Sequence, residues 1–138
     1  MAIFRLEIAT PESRIFDGDV EAVTLPVETG EIQILAGHVP LLTRLVPGPV
    51  EILLPNGQTE YVALGEGFAR VVPAHVALLS GVAVHARGVD ELEAEEARRR
   101  AEARLQEKLS AEEHAAVSAT LAHAIAKLRT KHRQRTNV

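Results

Sequence analysis

The side chains best able to bind a metal or move a proton in this 138-residue chain are six histidines: His38, His75, His85, His114, His123 and His132. None stands in an H-E-x-x-H or similar ligand spacing, and the absence of cysteine excludes thiolate zinc sites and disulfide frameworks. Glu112, Glu113 and His114 are sequence neighbours, and successive side chains on a helix diverge by about 100°, so they do not converge on a substrate. Gly65-Glu66-Gly67-Phe68 lacks the third glycine and the following helix of a dinucleotide loop and reads as a bulge or tight strand bend. No Ser-His-Asp arrangement stands out, and no convincing active site emerges.

What remains are residues suited to binding. In the segment Gly30 to Leu42, Glu31 and His38 are isolated polar groups within an apolar stretch interrupted by Gly30, Gly37 and Pro40. It reads either as a strand pair with a turn or as an exposed binding loop on a rigid scaffold. In the last twelve residues, Lys127, Arg129, Lys131, Arg133 and Arg135 supply five positive charges and no acid. On a helix, Lys127, Lys131 and Arg135 share one stripe, while Arg129 and Arg133 lie nearly opposite. This segment reads either as a solvated helix end favoured by the macrodipole or as a grip on acidic partner surfaces.

The elements that must position these groups divide near Gly88. All nine glycines, all seven prolines and all four aromatic residues precede position 89. Apolar residues alternate at Phe4, Leu6 and Ile8, at Val23, Leu25 and Val27, and at Ile32 and Ile34, the period of strands with one buried face. Turn residues recur between them, and Val50 to Leu54 should pair with Tyr61 to Leu64 across Asn56-Gly57. Short β-branched runs follow at Val71-Val72, Val76 to Leu79 and Val82 to Val84. The fold class is α+β with segregated domains: an antiparallel β-sandwich over residues 1–87, then an antiparallel two-helix hairpin over residues 88–138.

The hairpin is expected from eleven alanines after position 88, from Asp90 with Glu93 as a first helix cap, and from Ser110 with Glu113 as a second. These caps place the turn at Leu109 to Ala111 and make each helix about 30 Å long. Leu92, Ala97, Ala101, Leu105 and Leu109 form one apolar stripe; Val117, Leu121, Ala124, Ile125 and Leu128 form the other. Stripes so rich in alanine bury little area, so the hairpin should hold to its domain weakly. The net charge is −4, with no aromatic-and-basic pattern, which argues against nucleic acid as the main partner. No apolar run approaches the ~20 residues of a membrane span and no export signal opens the chain, so a soluble protein is expected.

The order of Thr10-Pro11-Glu12, Phe16-Asp17-Gly18, Gly30-Glu31-Ile32, Ile34-Leu35-Ala36-Gly37-His38-Val39-Pro40-Leu41-Leu42, Pro47-Gly48, Gly65-Glu66-Gly67-Phe68 and the helical Ala122 to Arg129 resembles the epsilon subunit of bacterial and chloroplast F-type ATP synthases. The resemblance implies a non-catalytic part of the rotating central stalk, with a sandwich that binds the gamma subunit and sits on the ring of c subunits. It implies that Glu31 and His38 meet the c-ring and that Pro40, Leu41 and Leu42 meet gamma. It implies a hairpin that folds on the sandwich or extends into the catalytic head to block ATP hydrolysis, swinging about Arg87, Gly88, Val89 and Asp90. Lys127, Arg129, Lys131, Arg133 and Arg135 are then the contacts to the alpha and beta subunits.

Some members of that family bind ATP at the hairpin through an aliphatic residue, Asp, two variable positions, Arg and Ala. Here Val89-Asp90-Glu91-Leu92-Glu93-Ala94 puts Glu93 where the arginine would stand, and a carboxylate there repels phosphate. Weak or absent ATP binding is expected, with no other cofactor and no metal. The place implied is peripheral, on the cytoplasmic face of the bacterial plasma membrane or the stromal face of the thylakoid, as part of F1. A free-standing sandwich adaptor recruiting partners through its helices is the alternative reading, and a sandwich enzyme using His38 and Glu31 a more distant one.

Overall fold

The computed structural model describes residues 2–136. Ten strands precede the helices: Phe4–Ala9 (β1), Arg14–Val20 (β2), Ala22–Val27 (β3), Gly30–Leu35 (β4), Leu41–Leu45 (β5), Gly48–Leu53 (β6), Thr59–Leu64 (β7), Gly67–Val72 (β8), His75–Ser80 (β9) and Ala83–His85 (β10). They form two five-stranded sheets, ordered β2-β1-β9-β8-β5 and β10-β7-β6-β3-β4. The alternation read from the sequence decides which side chains meet between them. Leu6, Ile8, Leu25, Ile52, Leu64 and Leu78 are all fully buried in the single core.

The pairing is antiparallel except between β1 and β9, which run parallel with Arg5 opposite His75 and Ala9 opposite Leu79. This pair joins the first strand to the ninth and lies beyond what local pattern can reveal. Strand β2 also escapes the sequence reading, because Arg14-Ile15-Phe16-Asp17-Gly18-Asp19-Val20 alternates imperfectly, and β5 was anticipated only as the second member of a strand pair ending at Leu42. The expected hairpin at Asn56-Gly57 forms with Leu53 opposite Thr59, and the loop between is closed by the Leu54 amide donating to the Gln58 carbonyl at 2.8 Å.

Gly65-Glu66 is the two-residue link by which the chain leaves one sheet at β7 and enters the other at β8. Crossing in so few residues presses Gly67 against β9, where a Cβ would stand 1.9 Å from the Leu79 carbonyl oxygen. Only glycine fits there.

A 3-10 helix, Ala86–Gly88, leads into Glu91–Leu105 (α1) and Ala111–Thr136 (α2). Asp90 caps α1 by accepting the Glu93 amide at 3.1 Å, and Ser110 and Glu113 form the reciprocal capping box of α2 at 3.1 and 3.3 Å. The helices are unequal, with 15 and 26 residues, or about 22 and 39 Å, because α1 stops at Leu105. The turn therefore spans 106–110 rather than 109–111, and Leu109 lies outside both helices.

The apolar stripes also need correction. Leu92 is 70% exposed and Ile125 38%, whereas Ala101 and Ala124, which belong to the expected stripes, and Ala94, which does not, are buried. Small residues allow close helix approach, so the seam selects alanines rather than the larger side chains nearby. Helix α2 lies across β6 and β7 on the outside of the second sheet, burying Ala126 and Thr130.

Candidate functional site

Glu31 stands one residue past the tight connection between β3 and β4, opposite Pro26. That position carries its carboxylate to the last turns of α2, where Arg133 donates from both terminal guanidinium nitrogens, at 2.8 Å to one oxygen and 3.2 Å to the other. These hydrogen bonds hold the Glu31 carboxyl below the usual carboxylate range, against the opposing effect of partial burial; the charges of Arg133 and Arg129 add to the lowering. The Arg133 guanidinium is shifted upward by the same pair. Two residues for which the resemblance implies different partners are thus paired with each other.

The neighbouring cations of α2 are also engaged within the chain. Lys131 donates to the Ala86 carbonyl at 3.2 Å, at the entry to the hinge segment, and Arg135 lies 2.8 Å from Glu91 at the start of α1. The stripes assigned from the sequence explain this division of labour. Lys131 and Arg135 face the hinge and α1, while Arg133 faces the sandwich. Lys127 lines a cleft of about 330 Å³ between the hairpin and β10, together with Asp90, Glu93, Thr120 and His123. The Asp90 carboxylate in that cleft is committed to its helix cap.

Residues Arg87, Gly88, Val89 and Asp90 form the end of the 3-10 helix and the approach to α1. Val89 is buried, and its amide donates to the Ala86 carbonyl at 3.1 Å. The segment is short and held at one end by Lys131.

His38 lies in the turn after β4, where Gly37 adopts a φ of 83° and its amide donates to the Pro73 carbonyl at 2.9 Å. The His38 ring Nδ1 sits 2.7 Å from the Val39 carbonyl, which can only accept, so the proton resides on Nδ1 in this arrangement. Glu31 and His38 do not share a loop. Most of the segment between them is strand β4, and the four residue steps from Glu31 to Leu35 alone cover about 13 Å.

Of Pro40, Leu41 and Leu42, the middle residue turns inward and packs against the core, whereas Leu42 is 73% exposed. Leu42 belongs to a larger patch on the outer face of the first sheet. Phe68 of β8 and Leu79 of β9 are direct cross-strand partners, 54% and 59% exposed, and Arg44 and Arg70 flank them. Phe68, Arg70 and Leu79 were missed as binding residues. The signal was present in parity: with Ala69 and Val71 facing the core, Phe68 must face out, and an aromatic there stays largely open to water.

Among the described residues no cluster of histidine and carboxylate side chains could hold a metal ion, and no helix is long and apolar enough to cross a membrane. The arrangement leaves an apolar strip framed by arginines on one sheet and a charged seam between hairpin and sandwich on the other.

Residues 3–86 match the family model for the ATP synthase delta/epsilon chain beta-sandwich domain, and residues 88–131 match that for the delta/epsilon chain long alpha-helix domain. The chain belongs to the ATP synthase delta/epsilon family, as an epsilon chain. ATP synthase epsilon chain 2 of Ralstonia nicotianae is 40% identical over 135 residues, covering 98% of this chain and 97% of that one. The fold also matches a chain in the Euglena gracilis mitochondrial ATP synthase OSCP/F1/c-ring structure, with a TM-score of 0.73, 22% identity, and coverage of 99% of this chain and 81% of that one. A chain of the Tetrahymena thermophila mitochondrial ATP synthase central stalk and c-ring gives 0.61 at 16% identity, covering 93% and 96%.

Proposed function

We propose that this epsilon chain is a non-catalytic rotor component that binds gamma through the outer face of its first sheet and meets the c-ring near Glu31 and His38. Its hairpin serves as a detachable restraint on ATP hydrolysis. The exposed strip of Leu42, Phe68 and Leu79 carries the proposal, because a face with three large apolar side chains open to water is stabilised by a partner. The arginines beside it, Arg44 and Arg70, favour a partner with acidic groups at the rim. Rotation imposed by the c-ring then passes through a sandwich whose core is continuous from sheet to sheet.

In the restraining state, Lys127, Arg129, Lys131, Arg133 and Arg135 engage acidic side chains of alpha and beta, after Lys131, Arg133 and Arg135 leave the intramolecular partners described above. The cleft beneath the hairpin does not retain ATP, because Glu93 lines it with negative charge and Asp90 is occupied as a cap. The chain sits peripherally, on the cytoplasmic face of a bacterial membrane or the stromal face of a thylakoid. Co-purification tests the central part: a stalk subunit recovers gamma at one to one, whereas an adaptor with other partners does not.

A further inference from the structure

The side of α2 that faces the sandwich is defined by two contacts ten residues apart. His123 packs over Gly65, where a Cβ would come within 2.9 Å of the ring Nε2, and Arg133 reaches Glu31. Ala126 and Thr130 fall between them at helical spacing and are 2% and 0% exposed. On the helix side this seam contributes only small groups, since a methyl group buries far less than a leucine, while the sheet contributes Tyr61 and Ala63, 4% and 2% exposed on the face of β7 turned away from the core. Its far end is polar and geometrically specific. Arg133 meets Glu31 in a two-pronged pair, and two residues earlier Lys131 takes the Ala86 carbonyl of the hinge.

We propose that Glu31, Arg133 and Lys131 form an ionic clasp that tunes how often the hairpin leaves the sandwich, so that release responds to charge at the tip of α2 in addition to the packing along it. The proposal rests on the hairpin being detachable, and the mechanism is simple. Opening separates the paired charges into water, and anything that screens or removes one partner lowers the cost of opening. Because Arg133 and Lys131 sit within one turn of each other and pull on different elements, sandwich and hinge, the clasp also fixes the rotation of α2 about its axis. The cations proposed to grip alpha and beta are the same ones, so engagement of the catalytic head and docking on the sandwich exclude each other.

The chain contains no cysteine, so a single reporter thiol placed by Thr130→Cys is reachable only when α2 lifts. Its labelling rate by a small maleimide under native conditions reads the open fraction directly. A second reporter, Ala69→Cys, sits in the sandwich core at 0% exposure and reads global unfolding. Glu31→Gln and Arg133→Gln, each in the Thr130→Cys chain, are expected to raise its labelling rate about three- to fivefold, as is a rise in salt from about 0.05 M to about 0.5 M. The exchanged pair, Glu31→Arg with Arg133→Glu, should return the rate toward that of the parent, and salt should have less effect on either single variant. Rapid labelling at Thr130→Cys that is indifferent to Glu31→Gln, to Arg133→Gln and to salt overturns the clasp while leaving a detachable hairpin. Labelling at Thr130→Cys as slow as at Ala69→Cys under every condition overturns detachment itself.

Discussion

Truncating Phe68 and Leu79 together to alanine separates binding from stability. The two side chains are cross-strand partners on the outer face of the first sheet, 54% and 59% exposed, and neither belongs to the core cluster. Full burial of a residue of this kind contributes about 1.5–3 kcal/mol, so a little over half of each side chain represents roughly 0.8–1.7 kcal/mol when a partner covers it. The pair then accounts for about 2–3 kcal/mol of association, or a weakening of Kd by about 20- to 200-fold. The intramolecular loss is limited to the cross-strand contact, about 0.2–1 kcal/mol. Titration calorimetry against purified gamma measures the first quantity and urea denaturation of the chain alone measures the second. A Kd within threefold of the parent refutes the assignment of this face to gamma. A loss of folding stability above about 2 kcal/mol refutes the claim that these residues lie outside the core.

Other perturbations report on other parts of the molecule. Gly67→Ala drives a Cβ into the Leu79 carbonyl and should lower stability by at least about 1–3 kcal/mol, seen as a fall in Tm, whereas Gly81→Ala meets open space and serves as the control. Ser110→Ala removes one half of the capping box and should cost about 1 kcal/mol, read as fraying at the start of α2 by amide exchange. The carboxyls of Glu31 and Glu113 are held below their ordinary value of 4.5, Glu31 chiefly by its hydrogen bonds with Arg133 and Glu113 chiefly by those with Ser110. Their contribution to stability is complete above that value and is lost as pH falls through the depressed one, so urea midpoints should hold level from pH 7 to about 5 and then decline. A decline confined to the range between pH 8 and 6 contradicts that assignment. Calorimetry of the chain with ATP should show no micromolar binding, and Glu93→Arg should raise whatever affinity is found, because it replaces repulsion by a phosphate-pairing group.

The division between sandwich and hairpin was legible in composition, because turns need glycine and proline whereas long helices exclude them, and local propensity acts within a few residues. Both helix caps were legible for the same reason, Asp90 with Glu93 and Ser110 with Glu113 each lying three residues apart. The stripes were legible only in part. Periodicity proposes several apolar faces on an alanine-rich helix, and the packing partner chooses among them, which is how Leu92 came to be exposed while Ala94 and Thr130 became buried.

The sequence by itself determined where strands alternate, where helices start, that no thiol is present, and that the tail is cationic. Only the tertiary structure decided that β1 runs parallel to β9, that Phe68 and Leu79 meet on one open face, and that Arg133 closes on Glu31 across 102 positions. The physical reason lies in range. Backbone propensity and capping are settled by groups a turn or less apart, whereas an ion pair between the third strand turn and the last helical turn exists only because ten strands and two helices fold to place both ends together.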